Sequence, residues 1–166
     1  EGSGGKEMHS LISEMKSYLN QGAWQHTDED SSCLAIKDIN ILFTTDSYVV
    51  TPIFFPGGNI GKIAFCGTVN DLAVMGAKPL GISLGLIIEE GFPKADLFKI
   101  MKTIGDLSIE TGIPVVTGDT KVMEKGSVDK IIINTSGIGY ADAVLGKPSK
   151  VGDKIIVSGG VGEHGT

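Results

Sequence analysis

Cysteine is nearly absent. The 166 residues hold only Cys33 and Cys66, with no C-x-x-C and no Cys/His spacing suited to zinc. A disulfide scaffold is thereby excluded, and two buried thiols in a reducing cytoplasm are the expected state. Long apolar runs are missing as well. The longest, Leu80 to Ile88 with Ser83 inside it, is far short of the roughly 20 residues a spanning helix needs. The first residues carry no charged-then-apolar export signal, so no membrane association is expected. Positive charge is scarce: 14 Lys plus Arg stand against 20 Asp plus Glu, a net charge of -6. That balance excludes generic nucleic-acid binding through a basic face. An anionic ligand such as a nucleotide would need cations held locally, most simply metal ions.

What is abundant is glycine, 24 residues, about twice the usual ~7%. The glycines separate apolar runs, so they mark turns and close backbone approaches rather than a low-complexity tract. The chain opens at Glu1 without Met and stops at Gly165-Thr166 just after a strand-like run. The expectation is a single domain, residues 1–166, of a longer protein.

Residues Glu7 to Asn20 place Met8, Leu11, Ile12, Met15 and Leu19 at helical spacing. Cys33–Ile36 and Ile41–Val50 are β-rich, separated by the turn-like Lys37-Asp38-Ile39-Asn40. Asn59 caps a helix through Met75, with Ile60, Ile63, Ala64, Leu72 and Ala73 as its inner stripe. Gly81–Ile88 reads as a buried strand, and Pro93 opens a helix over Lys94–Glu110 that Gly112 stops. Strands follow at Ile113–Thr117, Lys130–Gly139 and Lys154–Ser158. The alternation of strand and helix predicts crossover units, with antiparallel additions at either side: an α/β (α+β) mixed sheet covered by helices.

Three motifs resemble catalytic signatures. Gly160-Val161-Gly162-Glu163-His164-Gly165 fits G-x-G-x-x-G after a strand, but nothing follows it to confirm a dinucleotide fold. Gly81-Ile82-Ser83-Leu84-Gly85 fits G-x-S-x-G, yet apolar residues continue through Ile88, which puts Ser83 inside a strand rather than on a nucleophile elbow. Gly57-Gly58-Asn59-Ile60-Gly61-Lys62-Ile63 lacks the first glycine and the Ser/Thr of a P-loop. Its helix N-terminus could still point amides at phosphate.

Four aspartates stand out: Asp30, Asp46, Asp71 and Asp119, each read as lying at or near the end of an element. Asp71, between Val69 and Ala73, is costly to bury without a compensating charge. Mg2+ takes carboxylate and phosphate oxygens together, so several such carboxylates around one crevice would let an acidic protein hold a triphosphate. Lys6, Lys62 and Lys121 could add phosphate contacts.

Longer stretches carry a family likeness. Phe43 to Val50, Pro52 to Lys62, Cys66 to Ala73, Glu89 to Pro93 and Val116 to Val122 resemble the HypE family of hydrogenase expression/formation proteins. The Asn70-Asp71 and Thr117-Gly118-Asp119 elements are shared more widely with aminoimidazole ribonucleotide synthetase (PurM), thiamine monophosphate kinase and selenophosphate synthetase. The resemblance implies a PurM N-terminal-like domain that forms a homodimer, two sheets closing an intersubunit β-barrel, with ATP and Mg2+ in a cleft nearby. It assigns Asp30, Asp46, Asp71 and Asp119 to metal, and Gly4, Gly5, Lys6, Asn70, Asp119 and Lys121 to nucleotide, with Lys121 and Asp71 catalytic.

The implied reaction is dehydration. HypF carbamoylates a C-terminal cysteine, ATP phosphorylates the carbamoyl oxygen, and loss of phosphate leaves a thiocyanate. Its cyano group passes to the HypC–HypD complex for the iron of [NiFe]-hydrogenase. Glu1 and Glu163 depart from the family's usual His and Asp, and neither Cys33 nor Cys66 matches its mobile cysteine tail. A related synthetase or kinase, or a docking scaffold for maturation partners, are the alternatives.

Overall fold

A computed structural model describes residues 5–146, 149–157 and 159–160. Helix α1 spans Lys6–Ser17, α2 Ile60–Val74 and α3 Lys94–Thr111. The strands are β1 (Ser32–Ile36), β2 (Ile39–Tyr48), β3 (Phe54–Phe55), β4 (Gly58–Asn59), β5 (Lys78–Glu89), β6 (Val115–Met123) and β7 (Ile131–Ala141). Five of them form one sheet in the order β1-β2-β7-β5-β6, and β3-β4 is a separate small hairpin. All pairs in the large sheet are antiparallel except β5 with β6, which α3 connects as a parallel crossover. The expected mixed sheet is therefore present.

Among the described residues, α2 and α3 cover one face of the sheet. Along β5, Ile82, Leu84, Leu86 and Ile88 alternate inward, and along β7 Ile131 and Ile133 do the same. They pack with Ile60, Ala64 and Phe65 of α2 and Ile100 and Ile104 of α3 into the main core. A second cluster, Leu42, Leu72, Met75, Ala77 and Ala141, seals the far end of α2. The opposite face is open: the register partners Phe43 and Ile138 are 42% and 40% exposed there.

Close approach seats α2. A Cβ on Gly137 of β7 would lie 2.8 Å from Thr68 Cγ2 and 2.9 Å from Leu72 Cδ1, so only glycine lets the helix sit this low. At its start the Asn59 side chain accepts from Gly61 N at 2.9 Å and Lys62 N at 3.2 Å, as a cap should. Its amide also donates to Thr103 Oγ1 at 2.8 Å, tying α2 to α3. Gly112, in the left-handed region at φ 71°, terminates α3 as expected.

Several expectations need correction. The hairpin turn is the two residues Lys37-Asp38, so β2 begins at Ile39 rather than Ile41. The buried face of α2 uses Phe65 and Thr68, whereas Ala73 is exposed. Strand β6 runs through Gly118 to Met123, six residues past the expected end, because its register with β5 continues. Lys154 to Val157 form no strand, and Ser158 lies outside the described residues. Helix α1 forms as predicted but buries nothing, and Leu11, Ile12 and Met15 stay exposed. No described helix is long and apolar enough to cross a membrane.

Asn59→Ala removes both the cap and the Thr103 tie. Its unfolding free energy in urea should fall by about 1–2 kcal/mol, whereas an unchanged midpoint would mean that the cap is not stabilising.

Candidate functional site

Strand alternation and helix seating build the site together. Thr44, Asp46 and Tyr48 share the helix-facing side of β2, while Phe43, Thr45 and Ser47 face away and are exposed. Asp71 lies in the last turn of α2, half-buried, and Thr44 Oγ1 donates to its Oδ2 at 3.1 Å. Just upstream of β1, buried Ser31 donates through Oγ to the Asp71 carbonyl at 2.9 Å, which brings the preceding loop, and Asp30 with it, to the same end of α2. The result is a cleft of about 620 Å3 lined by Glu29, Asp30, Ser32, Phe43, Thr44, Thr45, Asp46 and Asp71.

The electrostatics are those of crowded acids. Burial, opposed by the Thr44 hydrogen bond and reinforced by the charges of Asp46 and Asp30, pushes Asp71 up to about 6. Tyr48, whose hydroxyl donates to Asp46 Oδ2 at 2.9 Å, is pushed up to about 12, chiefly by burial. Among the described residues no three His, Cys, Asp or Glu side chains cluster tightly enough to cage an ion. A carboxylate pair is nonetheless what Mg2+ takes when phosphate oxygens and water complete its shell. The oxygen-only donor set and the mutual repulsion of Asp46 and Asp71 both fit such a cation.

Three of the four predicted aspartates thus converge, and the fourth does not. Asp119 lies in mid-β6, in register with Gly85, then Asn134, then Ser47. Three interstrand spacings set it roughly 14 Å from Ser47, and it shares the open face rather than the helix face of Asp46. Lys121 lies two residues along the same strand, its ammonium 3.0 Å from Asp119 Oδ2, and this pairing holds the Asp119 carboxyl below its ordinary range. Asp30 lies just ahead of β1 and Asp71 within α2, as read, whereas Asp46 and Asp119 are inside strands rather than at their ends.

The remaining candidates are dispersed. Asn70 is exposed on α2, and Lys6 opens α1; neither lines the cleft. Gly5 precedes α1 at φ 78°, and Gly4 lies outside the described residues. The helix N-terminus at Asn59 is not open to phosphate, since Asn59 takes two amides, Ile53 takes the Ile60 amide, and Lys62 Nζ turns to the Gly57 carbonyl. Ser83 sits within β5 with its Oγ accepting from Ser136 N, as its apolar flanks implied. Of the G-x-G-x-x-G run, all but Gly160 lies outside the described residues. Glu29, Thr44 and Tyr48 were not among the candidates; the alternation Thr44-Asp46-Tyr48 in a β-rich run was the available signal for the last two.

A one-sided mixed sheet with an acidic cleft at the end of α2 defines a class. Residues 28–141 match the AIR synthase related protein, N-terminal domain, and the chain belongs to that family. Within it the likeness is to HypE proteins along 99% of the chain: it is 45% identical to the carbamoyl dehydratase HypE of Rhizobium leguminosarum bv. viciae, over 48% of that protein. Among solved structures it superposes on a chain of a HypE–HypF complex with TM-score 0.71 and 50% identity, covering 80% of this chain and 42% of that one. A HypE in complex with ATP gives TM-score 0.61 and 42% identity, covering 84% of this chain and 41% of that one. The chain spans about half the length of the curated relatives it matches.

Because Asp71 titrates higher in the fold than its ordinary 3.8, the metal-free protein is stabilised by protonation and loses that stability as pH rises from about 4 through about 6. Asp71→Asn should therefore raise Tm in EDTA near pH 8 by about 2–4 °C and leave it nearly unchanged near pH 4. Equal shifts at both pH values would contradict the buried-charge account.

Proposed function

We propose that this chain is the ATP- and Mg2+-binding, dimerising domain of a HypE-type carbamoyl dehydratase, working in the cytoplasm in [NiFe]-hydrogenase maturation. The observation that carries the reading is the half-buried, mutually repelling pair Asp46 and Asp71 at a cleft roomy enough for a polyphosphate. The likeness to HypE proteins, one of them solved with ATP, supports the nucleotide. Bound Mg2+ would neutralise charge on the phosphoryl group as it moves to the carbamoyl oxygen. Asp46 and Asp71 hold the cation on this reading, and Asp30 and Glu29 add negative potential at the rim. Departure of phosphate from the phosphorylated S-carbamoyl group then leaves a thiocyanate.

Cys33 is buried in β1 and Cys66 half-buried in α2, so neither is the carbamoylated thiol; we assign that role to a cysteine outside these residues. HypF as donor and HypC–HypD as acceptor complete the reading, the first supported by the solved complex of a relative. A homodimer supplies what one copy lacks. Strand β6 is exposed throughout at the sheet edge, and the open face carries Phe43 and Ile138. A second sheet closing over that face as a β-barrel would cover both and would bring Asp119 and Lys121 of one copy toward the cleft of the other.

Calorimetry of the complete protein with ATP and Mg2+ tests the site. Asp46→Asn and Asp71→Asn should each weaken Mg2+-dependent ATP binding by about tenfold or more, ~1.4 kcal/mol. Unchanged affinity in both variants would remove the cleft from consideration.

A further inference from the structure

The Asp46 carboxylate is held from behind by a side chain that the reading above leaves without a task. Tyr48 ends β2 on the helix-facing side, half-buried, and its hydroxyl lies 2.9 Å from Asp46 Oδ2 and 3.4 Å from Thr68 Oγ1. Thr68 is fully buried and meets Thr135 Oγ1 at 2.5 Å, and Thr135 Oγ1 donates to the Ala64 carbonyl at 3.2 Å. Proton accounting fixes the directions. Thr135 spends its proton on a carbonyl, so Thr68 donates to Thr135, and the phenol donates to a carboxylate that can only accept, which leaves the 3.4 Å approach of Tyr48 to Thr68 as a packing contact. The hydroxyl reaches Asp46 because residue 67 has no side chain: a Cβ on Gly67 would lie 2.2 Å from Tyr48 Oη and 3.0 Å from two ring carbons.

We propose that Tyr48, admitted by Gly67, is a positioning residue that pins Asp46 Oδ2 and leaves Oδ1 to meet the cation. The arrangement is matched on the other acid, where Thr44 pins Asp71 Oδ2. Each carboxylate thus has one oxygen committed to a neutral hydroxyl, so the pair is oriented before the cation arrives and little is lost to ordering on binding. The proposal rests on the reading of the cleft as a Mg2+-nucleotide site, and the closing experiment separates the two.

In the complete protein, the Mg2+ concentration at half-maximal ATP binding is measured by calorimetric titration for wild type, Tyr48→Phe, Asp46→Asn and the double variant. Tm in EDTA and ATP affinity in EDTA are recorded alongside. Tyr48→Phe keeps the ring and should raise the Mg2+ midpoint by about three- to tenfold, leave ATP affinity in EDTA unchanged, and add nothing on top of Asp46→Asn. Gly67→Ala, which displaces the hydroxyl without deleting it, should reproduce the shift; it carries the test if Tyr48→Phe does not fold. A midpoint unmoved in Tyr48→Phe while Asp46→Asn raises it would overturn the proposal and leave the metal site standing. Full additivity in the double variant would overturn it too, since Tyr48 would then act independently of Asp46. A midpoint unmoved in Asp46→Asn would refute the metal reading itself, and the positioning role with it.

Discussion

Two carboxylates face one another in the seam between α2 and β2, and their repulsion is the constraint around which the site is arranged. Neither is free to move away. Asp46 is fixed by the pleat of β2 and by Tyr48; Asp71 is fixed by the last turn of α2 and by Thr44. The helix is itself immobilised by Gly137, which admits it, and by the buried Thr68–Thr135 bond that ties it to β7. Sheet and helix packing therefore bury one carboxylate beside another, and the raised Asp71 records the cost, first of burial and then of the Asp46 charge. On the function proposed above, a divalent cation would convert that cost into affinity.

The same logic explains how an acidic chain can hold a polyanion. Its 14 basic residues are all lysines, so no arginine fork is present to grip phosphate bidentately. Lys62 is turned to a backbone carbonyl and Lys121 to Asp119. Cation-mediated binding is the arrangement such a composition allows, and Lys121, the lysine the proposed function assigns to phosphate, lies on β6, on the open face that the proposed second copy would cover.

Local signals carried well into the fold. Asn59, Gly112 and the apolar alternation of β5 act through neighbours in sequence, and each formed the cap, stop or strand expected of it. Errors arose where a partner strand decides. The expected strand ends at Thr117, yet pairing with β5 carries β6 to Met123, and Lys154 to Val157 have strand composition without a strand to pair with among the described residues. For the site, the residue types were legible and their grouping was not. Asp30, Asp46 and Asp71 meet because Ser31 binds the Asp71 carbonyl and α2 crosses β2, while Asp119 is three strands away. Glu29, Thr44 and Tyr48 matter only through contacts between elements, which no spacing along one chain displays.

The most direct measurement is a crystal structure of the complete protein with Mn2+ and a non-hydrolysable ATP analogue, with the metal located by anomalous scattering. The account predicts a peak in direct ligand contact with Asp46 and Asp71, bridged to phosphate oxygens in the cleft. Nucleotide and metal bound elsewhere, with both carboxylates uncoordinated, would contradict it.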